Sequence, residues 1–428
     1  MSTPIHIIIQ PAFAEGTLSV PPSKSLMQRA CAAALLNKGH TTLYNPGIAD
    51  DDRAALRIIE NLGARIETFS DGSLGIESEG IKPVSHSISC GESGLCARLF
   101  TPIAALSDQA LTITGEGSLL ERPMDFLAAV LTRLNVQLSD TYGRLPITVQ
   151  GPLQPKDIHV DGSLSSQFLT GLLFAYAFAA RQDVKIAVSR LASKPYIDLT
   201  LSVLEHFGKR IDNKEYSQFK IVPIEPERLN VAYTVEADWS SASYWVVAGL
   251  INGDIRLKGL NENSKQADRI LLDVVKSCGG NFLFEENILH IHKTTSLQSF
   301  YFDATDAPDL FPALAVLAAG CRGSSAIKGL SRLKHKESNR EESIRQLLNS
   351  FGVPNTIEGD CLIITGVQQF KSCTINSFLD HRIAMAASVG ALKAEGEVMI
   401  RDTQCVSKSY PDFFKHLNQL GVNTTTVI

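Results

Sequence analysis

Arg382 stands directly before ten residues, 383–392, that carry no charge. A guanidinium beside so apolar a helix needs an anionic partner, because desolvating an unpaired cation is costly. Asp380 and His381 precede it. Lys336, Glu337 and Arg340 fall close together, with Lys336 and Arg340 at i and i+4 on one helical face. Ser23-Lys24-Ser25, with Arg29 about one turn further on, sets hydroxyls and two cations at the start of a predicted helix. Free backbone N–H groups and the helix dipole favour a phosphate or carboxylate there. Ser165-Ser166-Gln167 precedes an uncharged helix, which needs one hydroxyl as a cap and leaves polar groups to spare for a ligand. Ala307-Pro308-Asp309, Ser193-Lys194-Pro195-Tyr196, Glu121-Arg122-Pro123 and Ser407-Lys408-Ser409-Tyr410-Pro411 also stand before predicted helices. Singly, each motif has an ordinary explanation as a cap or a solvated charge run. Their placement argues for more.

The motifs follow a repeat. Six openings, Ser23-Lys24-Ser25, Ser93-Gly94-Leu95, Ser165-Ser166-Gln167, Ser240-Ser241-Ala242, Asp309-Leu310-Phe311 and His381-Arg382-Ile383, succeed one another at steps of 70, 72, 75, 69 and 72 residues. After each comes an apolar helix, predicted over 26–37, 95–106, 168–180, 242–251, 311–319 and 383–393. A β-branched strand follows, over 41–44, 110–114, 184–188, 255–258, 325–328 and 397–400. A second, amphipathic helix is predicted over 53–62, 124–134, 197–207, 269–278, 340–351 and 411–420. Gly39, Gly253, Gly320 and Gly396, close behind four of the first helices, suit a C′ position of positive φ. Five second helices end at Gly63, Gly208, Gly279, Gly352 and Gly421.

Each unit therefore reads β-α-β-α-β-β, nearly a small fold in itself. Six units divide into three and three, with the break near 235–238. The opening strand at 5–10 precedes the first unit and can complete the sheet of the last. The expected fold is α/β, with two similar domains: residues 1–22 plus 237–428, and residues 23–236. A regular α/β protein without a true repeat is disfavoured by six matches in register. The fourth opening, Ser240-Ser241-Ala242, has no evident role beyond capping.

Composition bounds the partners. Apolar residues at 44% and charged residues at 20% describe an ordinary globular protein. A net charge of −5 leaves no global basic field for nucleic acid, so an anionic ligand must be held by cations gathered locally. Eight cysteines without a C-x-x-C pair read as thiols of a reducing compartment and offer no zinc-type cluster. No basic stretch followed by a long apolar one opens the chain, and apolar runs such as 172–180 fall short of the ~18 residues of a membrane span. A cytoplasmic chain with no metal and no membrane partner is expected.

Together the motifs resemble the enolpyruvyl transferases, and the resemblance covers essentially the whole chain. Its pieces are Ser23-Lys24-Ser25 with Arg29, the run from Asp161 to Phe168, Ser193-Lys194-Pro195-Tyr196, Lys336-Glu337 with Arg340, and Asp380-His381-Arg382. The resemblance implies two domains of three βαβαββ units, an inside-out α/β barrel arrangement. It places ligands between the domains, with closure on binding. It further implies transfer of the enolpyruvyl group of phosphoenolpyruvate to the 5-hydroxyl of shikimate 3-phosphate, with release of phosphate, no cofactor, and a monomeric chain. Carried over by motif, Lys24, Ser25, Arg29, Ser165, Ser166, Gln167, Ser193, Tyr196, Asp309 and Lys336 would hold shikimate 3-phosphate. Lys24, Gly94, Arg122, Gln167, Arg340, Arg382 and Lys408 would surround phosphoenolpyruvate. Asp309 as base, Glu337 as proton donor to the methylene carbon, and Lys24 would be the catalytic groups.

Two places depart from the family pattern. Glu92-Ser93-Gly94-Leu95 stands where Asn-Ala-Gly-Thr is common, and Arg332 stands where some members carry an Asn that contacts the sugar acid. Neither Glu92 nor Arg332 receives a role. Sister enzymes acting on a UDP-amino sugar often carry a reactive Cys before the second unit's second helix, and residues 115–123 contain none. A non-catalytic repeat scaffold is disfavoured because the polar residues gather at equivalent helix starts.

Overall fold

A computed structural model describes residues 4–163, 166–224, 230–334 and 336–427. Its α-helices are Lys24–Leu36 (α1), Asp50–Asn61 (α2), Gly94–Ala104 (α3), Asp125–Leu131 (α4), Ser166–Ala179 (α5), Lys194–His206 (α6), Trp239–Asn252 (α7), Leu271–Ser277 (α8), Phe311–Gly320 (α9), Arg340–Ser350 (α10), His381–Ala391 (α11) and Phe413–Gln419 (α12). The odd-numbered helices are the apolar first helices of the repeat, and each lies within three residues of its predicted bounds. They are buried nearly all round: α1 buries every residue from Leu26 to Leu36 and α11 every residue from His381 to Ala391. The predicted second helices over 124–134 and 269–278 are shorter than expected. Each passes into a 3₁₀ turn, at Thr132–Leu134 after α4 and at Ala267–Ile270 before α8.

Among the described residues six four-stranded sheets share one strand order. In the third repeat, Ile158–Asp161 runs parallel to Val184–Ser189, joined to it by α5. Gln218–Val222 then pairs antiparallel, and its hairpin partner Arg210–Lys214 forms the edge. The hairpin needs only a tight turn, whereas the parallel pair needs the helical crossover. Distant segments complete three of the sheets. Val231–Thr234 lies parallel to Gly39–Tyr44, and Ala14–Ser19 lies parallel to Gly253–Lys258. His6–Ile9 sits between Val398–Arg401 and Thr424–Val427, with Ile8 opposite both Met399 and Thr425. The opening stretch thus closes the sheets of the fourth and sixth repeats.

The chain divides into two compact units, Met1–Pro21 with Ala237–Ile428, and Pro22–Glu236. Within each, the three apolar helices pack on one another, α7 with α9 and α11 in the first and α1 with α3 and α5 in the second. In the first unit Trp245 stacks on Phe413 at 4.7 Å and donates its indole N–H to the Tyr410 hydroxyl at 2.9 Å. Among the described residues no helix is long and apolar enough to cross a membrane, and no disulfide forms.

The glycines after the first helices do not serve as expected. Only Gly39 has positive φ; Gly253 is extended at φ −161°, Gly320 is the last residue of α9, and Gly396 is not left-handed. Gly253 is needed for another reason: a Cβ there would lie 2.6 Å from the carbonyl oxygen of Ala14 on the neighbouring strand. The glycines ending the second helices, Gly63, Gly208, Gly279, Gly352 and Gly421, do have positive φ.

Gly171 governs the approach of α5 to α3. A Cβ there would meet the Leu99 and Arg98 carbonyl oxygens at 2.6 and 2.8 Å, and these are backbone atoms that cannot swing aside. Gly171→Ala should therefore destabilise the protein by about 1–3 kcal/mol in urea unfolding, despite alanine's higher helix propensity. Unchanged stability would show that the helix pair has slack.

Candidate active site

In the unit containing residues 237–428, three helix starts supply one ionic cluster. Asp380 caps α11: its carboxylate accepts from the Arg382 backbone N–H at 3.0 Å. The same carboxylate accepts from Arg340 Nε at 2.8 Å and from Ser338 Oγ at 3.0 Å. Arg340 opens α10 and is 1% exposed. Its other nitrogens donate to Asp309 at 3.0 Å and to Glu337. Asp309, in the 3₁₀ turn Pro308–Leu310 ahead of α9, also accepts from Arg382 at 2.9 Å, and the Lys336 ammonium lies 3.7 Å from it. The structure thus brings together Asp309, Lys336, Glu337, Arg340 and Arg382 of the expected site. Lys408 donates to the Leu379 carbonyl at 3.0 Å.

The fourth opening is more than a cap. Asp238, not a serine, caps α7, accepting from the Ser240 N–H at 3.0 Å. Ser241 Oγ donates to Asp238 at 2.9 Å, and Ser240 Oγ donates to the buried carboxylate of Asp268.

In the unit containing residues 22–236, Lys24 opens α1 and pairs with Asp51 at 2.8 Å. Arg29, 1% exposed, donates to the Ser25 carbonyl at 2.7 Å, to Thr200 Oγ1 at 3.0 Å and to the Tyr196 carbonyl at 3.2 Å. It therefore ties the first turn of α1 to that of α6. Burial pushes its pKa down to about 10, against the partial compensation of Tyr196 and Tyr233. No carboxylate partners it among the described residues. Ser193, the N-cap of α6, is held at a left-handed φ of 58°. Ser166 is buried at the start of α5, whereas Ser165 lies outside the described residues.

Gly94 begins α3, and a Cβ there would fall 2.6 Å from an Arg122 nitrogen and 3.1 Å from an Arg98 nitrogen. Two guanidinium groups thus converge on one helix N-terminus. Arg122 donates to Ser118 Oγ at 3.2 Å, and Arg98 to Gln167 Oε1 at 3.0 Å. The sequence reading missed Arg98, although it is the one charge in α3 and the argument that singled out Arg382 applies to it. Glu92 is turned to the Gly117–Ser118 loop, accepting from the Ser118 N–H at 3.4 Å.

Residues 9–417 match the family described as EPSP synthase (3-phosphoshikimate 1-carboxyvinyltransferase). The chain belongs to the EPSP synthase family. A protein named 3-phosphoshikimate 1-carboxyvinyltransferase in Clostridium novyi (strain NT) is 33% identical over 425 residues, which is 97% of each chain. The solved structure of EPSP synthase from Acinetobacter baumannii is similar at a TM-score of 0.83 and 25% identity, covering 100% of both chains. The enolpyruvyl transferase NikO from Streptomyces tendae shares the fold, with a TM-score of 0.79 at 17% identity over 99% of each chain.

The electrostatics of this EPSP synthase family cluster are those of cations held in reserve. Burial alone would raise the Asp309 pKa, but Arg382, Lys336 and Arg340 pull it far below the usual carboxylate range. The same contacts keep Arg340 and Arg382 protonated despite burial, through Asp380, Glu337 and Asp309 for the former and chiefly Asp309 for the latter. Burial lowers the Lys336 pKa. Asp268 has the opposite fate: burial, with the nearby negative charge of Asp309, pushes it up to about 7.

Two pH windows follow. The Asp268 pKa is raised on folding from near 4, so its contribution is complete below about pH 4 and lost as pH rises towards 7. The Asp309 pKa is lowered, so its contribution is present above pH ~4 and lost below it. Urea unfolding across pH 4 to 7 should therefore show wild type losing stability relative to Asp268→Asn as pH rises. A constant difference would contradict the assignment.

Proposed function

We propose that the chain catalyses transfer of the enolpyruvyl group of phosphoenolpyruvate to the 5-hydroxyl of shikimate 3-phosphate, releasing inorganic phosphate. The observation that carries this reading is the convergence of Arg340, Arg382 and Lys336 on Asp309, with Glu337 on the same guanidinium. The reaction joins two anions, which requires fixed cations, and it requires one group to take a proton and another to give one.

The residues divide as follows. Ser25, Ser166, Ser193, Tyr196 and Gln167 bind shikimate 3-phosphate, with Ser165 as a further candidate and Arg29 fixing the Ser25 and Tyr196 backbone. The buried Arg29 charge, partnered by neutral oxygens, adds attraction for an anion. Lys24, Arg122, Arg340, Arg382 and Lys408 bind phosphoenolpyruvate, with the N–H of Gly94 at the helix start and Arg98 beside it.

In the first step the hydroxyl oxygen bonds to the central carbon of phosphoenolpyruvate. Asp309 takes the hydroxyl proton, and Glu337 gives a proton to the methylene carbon, making a methyl group. In the second step the methyl returns a proton to Glu337, the carbon–carbon double bond re-forms, the carbon–oxygen bond to phosphate breaks, and the hydroxyl proton held by Asp309 passes to the departing phosphate, which leaves as hydrogen phosphate. Without substrate, Asp309 is too weak a base and Glu337 is tied to Arg340. Anionic groups of phosphoenolpyruvate draw the cations to themselves, which raises the proton affinity of both carboxylates. Substrate binding and proton handling are thereby linked.

The chain is proposed to act as a monomer. The eight cysteines without a disulfide support a cytoplasmic location.

Purified protein given both substrates should release phosphate, and UDP-N-acetylglucosamine should not replace shikimate 3-phosphate as acceptor. Glu337→Gln should lower turnover by at least about 10²-fold with binding largely kept. Phosphate release that depends on the UDP-sugar would refute the acceptor, and an unchanged rate in the variant would remove Glu337 from the mechanism.

A further inference from the structure

His290 and His292 alternate along the strand Ile288–His292, so both project from one side of the sheet while Leu289 and Ile291 are fully buried on the other. Asp254, on Gly253–Lys258, stands directly opposite His292 on the same side. His290 Nε2 lies 2.6 Å from one oxygen of Asp254, and His292 Nδ1 lies 3.0 Å from the other. The ring centroids are 3.7 Å apart, closer than the ~4.5–7 Å that ring pairs favour. All three donor atoms lie within 4.8 Å of one another. None of the three belongs to the substrate or proton-transfer sets.

We propose that Asp254, His290 and His292 form a binding site for a divalent first-row transition ion of the zinc, cobalt and nickel class. Two imidazoles and one carboxylate are the donor set these ions take. Ligands at about 2.0–2.2 Å around a tetrahedral ion stand roughly 3.3 Å apart, so the observed separations need only a small opening to admit it. An imidazole that carries its proton on the outer ring nitrogen presents the lone pair of the inner nitrogen to the ion. The two strands are fixed by their backbone ladder, so the donors are preorganised. His292 is half exposed, which leaves a coordination position for water. Glu15, beside Asp254 in the parallel register, adds negative charge, while Arg256, opposite His290, opposes it.

Untagged full-length protein, stripped with chelator, should bind Zn²⁺ at one ion per chain in calorimetry. Bound Co²⁺ should give visible d–d absorption, and Zn²⁺ should shift the imidazole proton resonances of two of the ten histidines. His290→Gln with His292→Gln should weaken Zn²⁺ by about 100-fold or more, and Asp254→Asn by about tenfold or more, with enolpyruvyl transfer unchanged. Absence of saturable binding, resonance shifts at other histidines, or binding that survives the double substitution would overturn the site and leave Asp254 as an acceptor of two hydrogen bonds.

Discussion

A buried guanidinium needs acceptors close around it, and Arg340 keeps three anions. Removing a charge from water costs several kcal/mol unless a partner stays close. Asp380, Asp309 and Glu337 meet that demand around a side chain that is 1% exposed. The consequence for function is that the resting cluster is a set of cations already satisfied. In the proposed scheme an anionic substrate is bound by exchange of partners, and the carboxylates it displaces are the ones that move protons. Asp380 differs from the other two: it is fully buried and also caps α11, so it is built to stay with Arg340 while Asp309 and Glu337 let go.

The fold follows from the same constraint. The odd-numbered helices are apolar nearly all round because each is packed among two others and a sheet. Charge is placed on them only in the first two turns, where a cap, free N–H groups and side chains of neighbouring segments receive it. Repetition of the βαβαββ unit brings several such starts into each compact unit. Arg382, Lys24 and Arg98 occupy such starts or the turn after them, and Asp309 and Arg340 lie just ahead of α9 and at the start of α10. The positions available for chemistry are thus chosen by the packing of the helices behind them.

Much of this was legible in the sequence because both signals are local. The apolar helices announce themselves by composition, and a lone charge at their edge stands out, as Arg382 did. What the sequence withheld lies in contacts between distant segments. Asp51 meets Lys24 across 27 residues, and Asp268 meets Ser240 across 28, and neither acid had a local signature. Arg98 has the same local signature as Arg382, a lone charge in an apolar helix. Glu92 received no role from its place in the motif; in the fold it accepts from the N–H of Ser118. The glycine reading failed at Gly253 because close approach to Ala14, and not a left-handed turn, excludes a side chain there.

The central claim is that phosphoenolpyruvate displaces carboxylates from Arg340 and Arg382 and so raises their proton affinity. Calorimetry of phosphoenolpyruvate binding in buffers of different ionisation enthalpy reports the protons exchanged, and comparison of wild type with Glu337→Gln cancels the ligand's own contribution. The account predicts that wild type takes up more protons on binding than the variant near neutral pH. Equal proton exchange in the two proteins would contradict it.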